Sequence, residues 1–485
     1  MLPDHEACYR AITAKDVRFD GRLFTAVLTT GIYCRPVCPA RVPKSTNVVF
    51  YPSAAGAHEA GFRPCLRCRP ETAPDTPAWR GTQATIGRAM RLIDEGALDD
   101  DGVAHLAMRL GIGDRQLRRL FLKHLGATPI AVAQTRRLLL AKQLLHETRL
   151  PMAQVALASG FGSIRRFNEV FQALFQRPPL SIRRGLAPEQ AHEAGGELAL
   201  KLRYRPPYDW DGMTAFLRNR LYEGVEAFMD GEYVRSFSID GISGIVRVGK
   251  GLGDWLNVRV SCQNVACLPK LIGQVRRAFD LAADPAMIGE DLSEDEVLGP
   301  LIMGQPGLRL PASWEGFEGV VRAVLGQQIT VKAAIALGQK FVQRLGVSLP
   351  NELRIAGAIT HKFPEPSDVL AADLCFMPMP KPRQRTLSAM AQLFVERPDV
   401  LVGESAQVRA RLAEISGVGP WTLDYIALRV LRDPDVLPST DVALVRAMSG
   451  LTDQTSSPKE LALKAQAWQP WRSYAAQHLW ASLAN

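Results

Sequence analysis

The chain has 485 residues, 47% apolar and 22% charged, enough for three or four domains with their own cores. It has no apolar run near the ~20 residues that span a bilayer and no charged-then-apolar signal at its N-terminus. A membrane-spanning or exported protein is therefore not expected, and a cytoplasmic one is. The net charge of +9 is uneven: residues 1–190 carry 27 Lys and Arg against 16 Asp and Glu, or +11, and the remainder 31 against 33, or −2. A polyanionic partner is expected at the N-terminal part.

Residues 1 to about 72 read as short strands and turns around four cysteines, Cys34 and Cys38 in TTGIYCRPVC and Cys65 and Cys68 in FRPCLRC. CxxxC followed by CxxC is ligand spacing for a tetrahedral metal, each short pair reaching two corners. Arg35, Arg41, Lys44, Arg63, Arg67 and Arg69 flank the thiols. Spacing leaves open whether the metal only holds a small domain together or one sulfur reacts, and it singles out none of the four. Cys8, Cys262, Cys267 and Cys375 read as buried or incidental thiols, so a disulfide framework is not expected.

A Pro-rich break, ETAPDTPAW, precedes a helical block over residues 82–184. Two segments there share one pattern, VAHLAMRLGIGDRQLRRLFLKHLG and MAQVALASGFGSIRRFNEVFQALFQ, each a helix, a Gly-containing turn and a basic second helix. This predicts tandem helix-turn-helix motifs whose second helices enter major grooves. Candidate readers are Arg115, Gln116, Arg118 and Arg119 in the first, and Ser163, Arg165, Arg166 and Asn168 in the second. Leu117, Leu120, Phe121, Phe167 and Phe171 fall on the core face. The basic stretch TRRLLLAKQLL joins the two motifs.

A second linker is expected near residue 195, followed by a mixed α/β region with period-2 stretches YVRSFSI and WLNVRVS. From about residue 313 the pattern is helical. Within it, RLAEISGVGPWTLDY at 411–425 predicts a helix-hairpin-helix, in which Gly417 and Gly419 allow a tight turn with backbone N–H groups facing a phosphate. Asp441 opens the helix that follows. At that position it reads as the N-cap, a role Ser439 or Thr440 could take instead.

GFGSIRRFNEVFQALFQRPP resembles the DNA-binding domain of AraC-type activators, and GRLFTAVLTTGIYCRPVCPAR with FRPCLRC resembles the N-terminal domain of the Ada regulators. That resemblance implies one zinc ion, structural and thiolate-activating, on Cys34, Cys38, Cys65 and Cys68. It makes Cys34 the acceptor of a methyl group from a DNA methylphosphotriester and Arg35 a DNA contact. The hairpin, Asp441 and VLGQQITVKAA at 324–334 resemble the helix-hairpin-helix DNA glycosylases. RPPYDWDGMTAFL and WQPWRSYAAQHLW narrow the likeness to the AlkA family.

The AlkA resemblance implies Asp441 as catalytic carboxylate, Trp421, Tyr425 and Trp480 as the base pocket, and Gln328 as the wedge, where AlkA carries an apolar side chain. Gly417, Gly419 and Thr422 would meet DNA. Trp421 stands where bifunctional relatives carry a Schiff-base Lys, so a monofunctional enzyme is expected, with water as nucleophile. No cysteine follows Cys375 and no PCHR motif occurs, so neither an iron–sulfur cluster nor O6-methylguanine repair is expected.

These readings predict a multidomain α+β chain. A small zinc α/β domain (1–75) precedes an all-α tandem helix-turn-helix domain (82–185). A TBP-like α/β domain (197–310) is packed with an all-α helix-hairpin-helix glycosylase domain (311–485). The expected function is adaptive-response regulation with excision of 3-methyladenine- and 7-methylguanine-type bases. Its expected partners are alkylated and promoter double-stranded DNA and RNA polymerase, and it is expected to be a monomer in the bacterial cytoplasm, at the nucleoid. The alternative is a transcription factor whose glycosylase half only holds damaged DNA.

Overall fold

The computed structural model describes residues 2–73, 82–94, 96–99, 101–183 and 197–483. Most of both expected linkers, residues 74–81 and 184–196, lies outside the described residues. The chain forms two compact units, Met1–Arg205 with Gly251–Gly273, and Pro206–Lys250 with Gln274–Asn485.

The first unit opens with helix α1 (His5–Thr13), which the cysteine-centred reading of this segment did not anticipate. Asp4 caps it by accepting from the Ala7 amide, and Cys8, Ala11 and Ile12 pack against Leu23. Strands β1 (Phe24–Val27), β2 (Ile32–Cys34), β3 (Val48–Tyr51) and β4 (Arg63–Pro64) form a sheet in the order β3-β1-β2-β4, with α2 (Ala54–Glu59) before β4. The β2–β4 pairing is parallel, Ile32 opposite Arg63. It brings the strand ending at Cys34 alongside the strand that leads into Cys65.

Helices α3 (Thr82–Asp94), α4 (Val103–Arg109), α5 (Asp114–Leu125), α6 (Pro129–Glu147), α7 (Met152–Ala158), α8 (Ile164–Phe175) and α9 (Pro179–Arg183) follow. The turns before α5 and α8 pass through Gly111 (φ +71) and Gly160 (φ +85), left-handed conformations that favour glycine. The five residues expected on the core face, Leu117, Leu120, Phe121, Phe167 and Phe171, are all buried. Strand β5 (Leu198–Arg203) pairs antiparallel with a later strand, Trp255–Cys262.

In the second unit α10 (Trp210–Arg218) precedes the antiparallel meander β6 (Glu226–Met229), β7 (Glu232–Ile239) and β8 (Ile242–Lys250), while β9 is the first unit's strand Trp255–Cys262. Then come α11 (Leu268–Ala278), α12 (Pro285–Leu292), α13 (Leu298–Gly304), α14 (Gly316–Leu325), α15 (Val331–Leu345), α16 (Pro366–Leu370), α17 (Lys381–Glu396), α18 (Ser405–Ala413), α19 (Pro420–Arg429), α20 (Val442–Thr452), α21 (Pro458–Lys464) and α22 (Arg472–Ala481). Among the described residues no helix is long and apolar enough to cross a membrane.

A buried ion network fixes α14. Arg235 reaches Glu226 at 3.1 Å and Glu318 at 2.9 Å, and Arg322 reaches the same carboxylates at 2.7 and 2.8 Å. Each buried charge is therefore paired, which such charges require. Among the described residues of the second unit, helices contribute to two large apolar clusters. One gathers α14, α15, α17 and α18, the other α12, α13 and α20–α22. Helix α19 serves both, with Ile426 in the first and Leu428 in the second.

Candidate functional site

The sulfurs of Cys34, Cys38, Cys65 and Cys68 all lie within 4.8 Å of one another. Tetrahedral zinc–thiolate bonds of about 2.3 Å place sulfurs about 3.8 Å apart, so the donor set fits one such ion. Without a cation the four thiols conflict. As the thiol that donates to its neighbours, foremost to Cys38, Cys34 holds its proton far above the usual thiol range, while Cys38, accepting from Cys34, falls to about 7. A divalent ion removes that conflict by letting all four ionise.

The four sulfurs are not equivalent. Cys38, Cys65 and Cys68 are buried and Cys34 is half-exposed. The Arg35 amide donates to Cys68 Sγ at 3.3 Å and the Arg67 amide to Cys65 Sγ at 3.4 Å, and the Ala40 amide donates to Cys38. Cys34 accepts no backbone N–H among the described residues. Arg35, expected to face DNA, is only 7% exposed. Its guanidinium pairs with Asp20 and donates to the Cys68 carbonyl at 3.2 Å, so it braces the ligand loop.

On the reader helices Arg115, Gln116, Arg118, Arg119, Arg165, Arg166 and Asn168 are exposed. Ser163 is exposed too, but its hydroxyl caps α8 by accepting from the Arg166 amide at 3.2 Å. The basic helix joining the motifs has internal partners: Arg136 and Arg137 pair with Asp99 at 3.2 and 2.7 Å, and Lys142 is wholly buried.

In the second unit Asp441 is itself the cap of α20, so Ser439 and Thr440 do not take that role. Its Oδ1 accepts from the amides of Ala443 (3.0 Å) and Leu444 (3.1 Å) and from Trp480 Nε1 (3.2 Å). Oδ2 accepts from Trp421 Nε1 at 2.8 Å. The carboxylate thus spans two indoles, and Oδ2 keeps one lone pair free for a ligand. Trp421 stacks on Tyr425, ring centroids 5.2 Å apart.

Behind this wall lies Arg429, which the sequence reading missed although Trp421, Tyr425 and Arg429 follow an i, i+4, i+8 spacing on α19. It is buried and donates to Pro311 O and Gln477 Oε1, both at 2.8 Å, with its guanidinium over the Trp480 ring at 5.1 Å. Burial pushes its pKa down to about 10.

The hairpin between α18 and α19 turns at Gly417 (φ +88), where an added Cβ would lie 2.2 Å from Thr386 Oγ1. A Cβ added at Gly419 would meet nothing within 4 Å, leaving room for a ligand to approach. Thr422, expected to meet DNA, is buried and accepts from Gln327 Nε2 at 3.0 Å. Gln327 also donates to the Gly417 carbonyl at 2.9 Å and was missed beside its neighbour. Gln328 is exposed at a left-handed φ of +55 in the turn between α14 and α15.

The chain matches the family described as the metal binding domain of Ada over residues 7–71, a helix-turn-helix domain over 106–185 and the AlkA N-terminal domain over 199–315. A probable bifunctional transcriptional activator/DNA repair enzyme AlkA of Mycobacterium tuberculosis is 39% identical, covering 100% of this chain and 98% of the relative. DNA-3-methyladenine glycosylase 2 of Escherichia coli is 31% identical over 58% of this chain and 95% of its own. The bifunctional transcriptional activator/DNA repair enzyme Ada of Escherichia coli is 39% identical over 27% of this chain and 35% of its own. Among solved structures, a 3-methyladenine DNA-glycosylase from Archaeoglobus fulgidus shares the fold over 58% of this chain and 96% of its own, at TM-score 0.52 and 18% identity.

Proposed function

Because the chain belongs to the family of bifunctional transcriptional activator/DNA repair enzymes that join an Ada-type sensor to an AlkA-type glycosylase, we propose that Cys34 and Asp441 are its two reacting groups. The protein is a DNA-repair enzyme and transcription regulator whose four-cysteine centre holds zinc.

When bound, zinc keeps the thiolates ionised at neutral pH. Backbone N–H donors draw density from the sulfurs they reach, and among the described residues Cys34 is both the sulfur without one and the least buried of the four. Its lone pair attacks the methyl carbon of a methylphosphotriester. The carbon–oxygen bond breaks, and the phosphate leaves as the ordinary diester anion. Four thiolates on a divalent ion carry a net −2, and methylation lowers this to −1. The methylated sensor is then repelled less by DNA phosphates, which supports a damage signal read by α5 and α8 at a promoter.

In the second unit the observation that carries the reading is the Asp441 carboxylate held between Trp421 and Trp480. Its free lone pair at Oδ2 would face C1′ of a flipped nucleotide, where cleavage of the N-glycosidic bond develops positive charge. Trp421 and Tyr425 offer a stacked π wall for a cationic base, worth about 1–2 kcal/mol. Gln328 fills the gap left by the flipped base, and the open turn at Gly419 receives a phosphate. Arg165, Arg166, Arg115, Gln116 and Arg119 meet promoter DNA. Water is the nucleophile, RNA polymerase the downstream partner, and the protein is a cytoplasmic monomer.

The test is incubation of the full chain with methylated duplex DNA. Release of 3-methyladenine with a one-methyl mass gain on Cys34 supports both assignments. A gain on Cys38 instead overturns the acceptor, and no base release favours a glycosylase half that only binds damage.

A further inference from the structure

Lys142 of α6 is wholly buried, yet it is a cation 77 residues away from the Cys65–Cys68 loop that it touches. Its Nζ donates to the Cys65 carbonyl at 3.1 Å and to Glu71 Oε2 at 2.7 Å, and Glu71 is equally buried. Glu71 Oε1 accepts from Arg69 Nε at 3.1 Å, and Arg69 reaches Glu147, in the last turn of α6, at 2.9 Å. Glu147 in turn accepts from Gln143 at 2.9 Å. The residue straight after the fourth ligand, Arg69, takes a left-handed φ of +50 to make this reach. Non-glycine residues rarely adopt that conformation unless the surroundings enforce it.

The same face of α6 carries Thr135, two turns before Lys142, and its hydroxyl meets His58 Nδ1 at 3.1 Å. Two ligand carbonyls are therefore gripped by buried cations of different origin. Arg35 holds Cys68 from within the small sheet domain, and Lys142 holds Cys65 from the helix that joins the two DNA-reading motifs. Groups just outside a metal's ligands orient those ligands, and removing them typically lowers metal affinity 10–100-fold.

We propose that Lys142 is a positioning residue of the four-cysteine centre, contributed by the reader domain, and that it ties α6 to the ligation state of the metal. The inference rests on the metal reading of that centre and is independent of which cysteine reacts. Any shift of the Cys65–Cys68 loop moves Lys142, Glu71 and Arg69 together, and all three end on α6.

The experiment uses the full chain, zinc competition against a chelator, and hydrogen exchange of residues 135–147. In the wild type, zinc removal should deprotect α6 amides. Lys142→Met strands the Glu71 charge and risks misfolding, so Lys142→Met with Glu71→Gln is the decisive variant, neutral at both positions. It should fold, hold zinc roughly 10–100-fold more weakly, and show α6 exchange that no longer responds to zinc. Wild-type zinc affinity in that variant, or wild-type α6 exchange indifferent to zinc, would overturn the proposal while leaving the metal reading intact. A wild-type chain that binds no zinc at all would overturn both.

Discussion

Replacing Asp441 by Asn separates the two things this side chain does. The asparagine carbonyl repeats the Oδ1 role, accepting from the Ala443 and Leu444 amides, and Asn caps helices about as well as Asp. At the other atom an NH2 now faces Trp421 Nε1–H across what was a 2.8 Å hydrogen bond, and the charge is gone. A carboxylate about 3.5 Å from a unit positive charge, at an effective dielectric near 20, is worth about 5 kcal/mol. The incomplete charge on the sugar scales this to about 4 kcal/mol, or roughly a 10³-fold slower step. The assay is single-turnover release of methylated base from methylated duplex DNA, with a thermal melt beside it. The expected result is that slowing with Tm shifted by no more than about 2 °C. Slowing of less than about tenfold in a folded protein would refute the electrostatic argument. A collapse of Tm would show that the charge and the Trp421 hydrogen bond, and not the cap that Asn preserves, hold this part of the fold.

Gly417→Ala forces a left-handed φ on alanine, costing about 1–2 kcal/mol, and drives its methyl into Thr386. Urea melts should show a loss of about 2–4 kcal/mol, whereas Gly419→Ala, with open space around it, should leave stability near wild type and weaken binding to abasic duplex. Gln328→Gly relieves a strained φ, so stability should rise by about 0.5–1 kcal/mol while base release from duplex slows more than release from single strands. Arg165→Ala with Arg166→Ala should lower the slope of log affinity against log salt by about one for each phosphate no longer neutralised, with base release unchanged. Burial pushes His478 down to about 4, so the native state binds fewer protons than the unfolded chain between about pH 6.5 and pH 4. Its stabilising share is present above the unfolded value and is lost as pH falls through 4. At most about 3 kcal/mol is at stake, and His478→Asn should flatten that part of the stability–pH curve.

The four cysteines and the Gly417 turn were legible because each depends on short spacing alone. Ligand geometry and a left-handed turn are local properties, and both stand in the structure where the sequence puts them. The roles of Arg35, Ser163, Thr422 and Lys142 were not legible. Each was read as, or within, a polar or basic surface, and Arg35, Thr422 and Lys142 are held by partners that only the fold supplies. Asp20 meets Arg35 across 15 residues, Gln327 meets Thr422 across 95, and Glu71 meets Lys142 across 71. Ser163 shows the opposite limit. Its partner is three residues away, and a serine opening a helix is a cap by preference. Asp441 was legible as a choice between cap and catalyst, and the structure gives its two oxygens separate partners.

The buried Lys142–Glu71 pair bears on how such chains can be reshuffled. A composition-based boundary near residue 75 invites a cut between sensor and reader, as though they were interchangeable cassettes. Grafting a foreign sensor onto this α6 would leave Lys142 sealed away with no carboxylate, and grafting this sensor elsewhere would strand Glu71. Lineages exchanging these modules would have to inherit Glu71, Lys142, Arg69 and Glu147 as one block. The unit of exchange is therefore the sensor together with the helix it leans on.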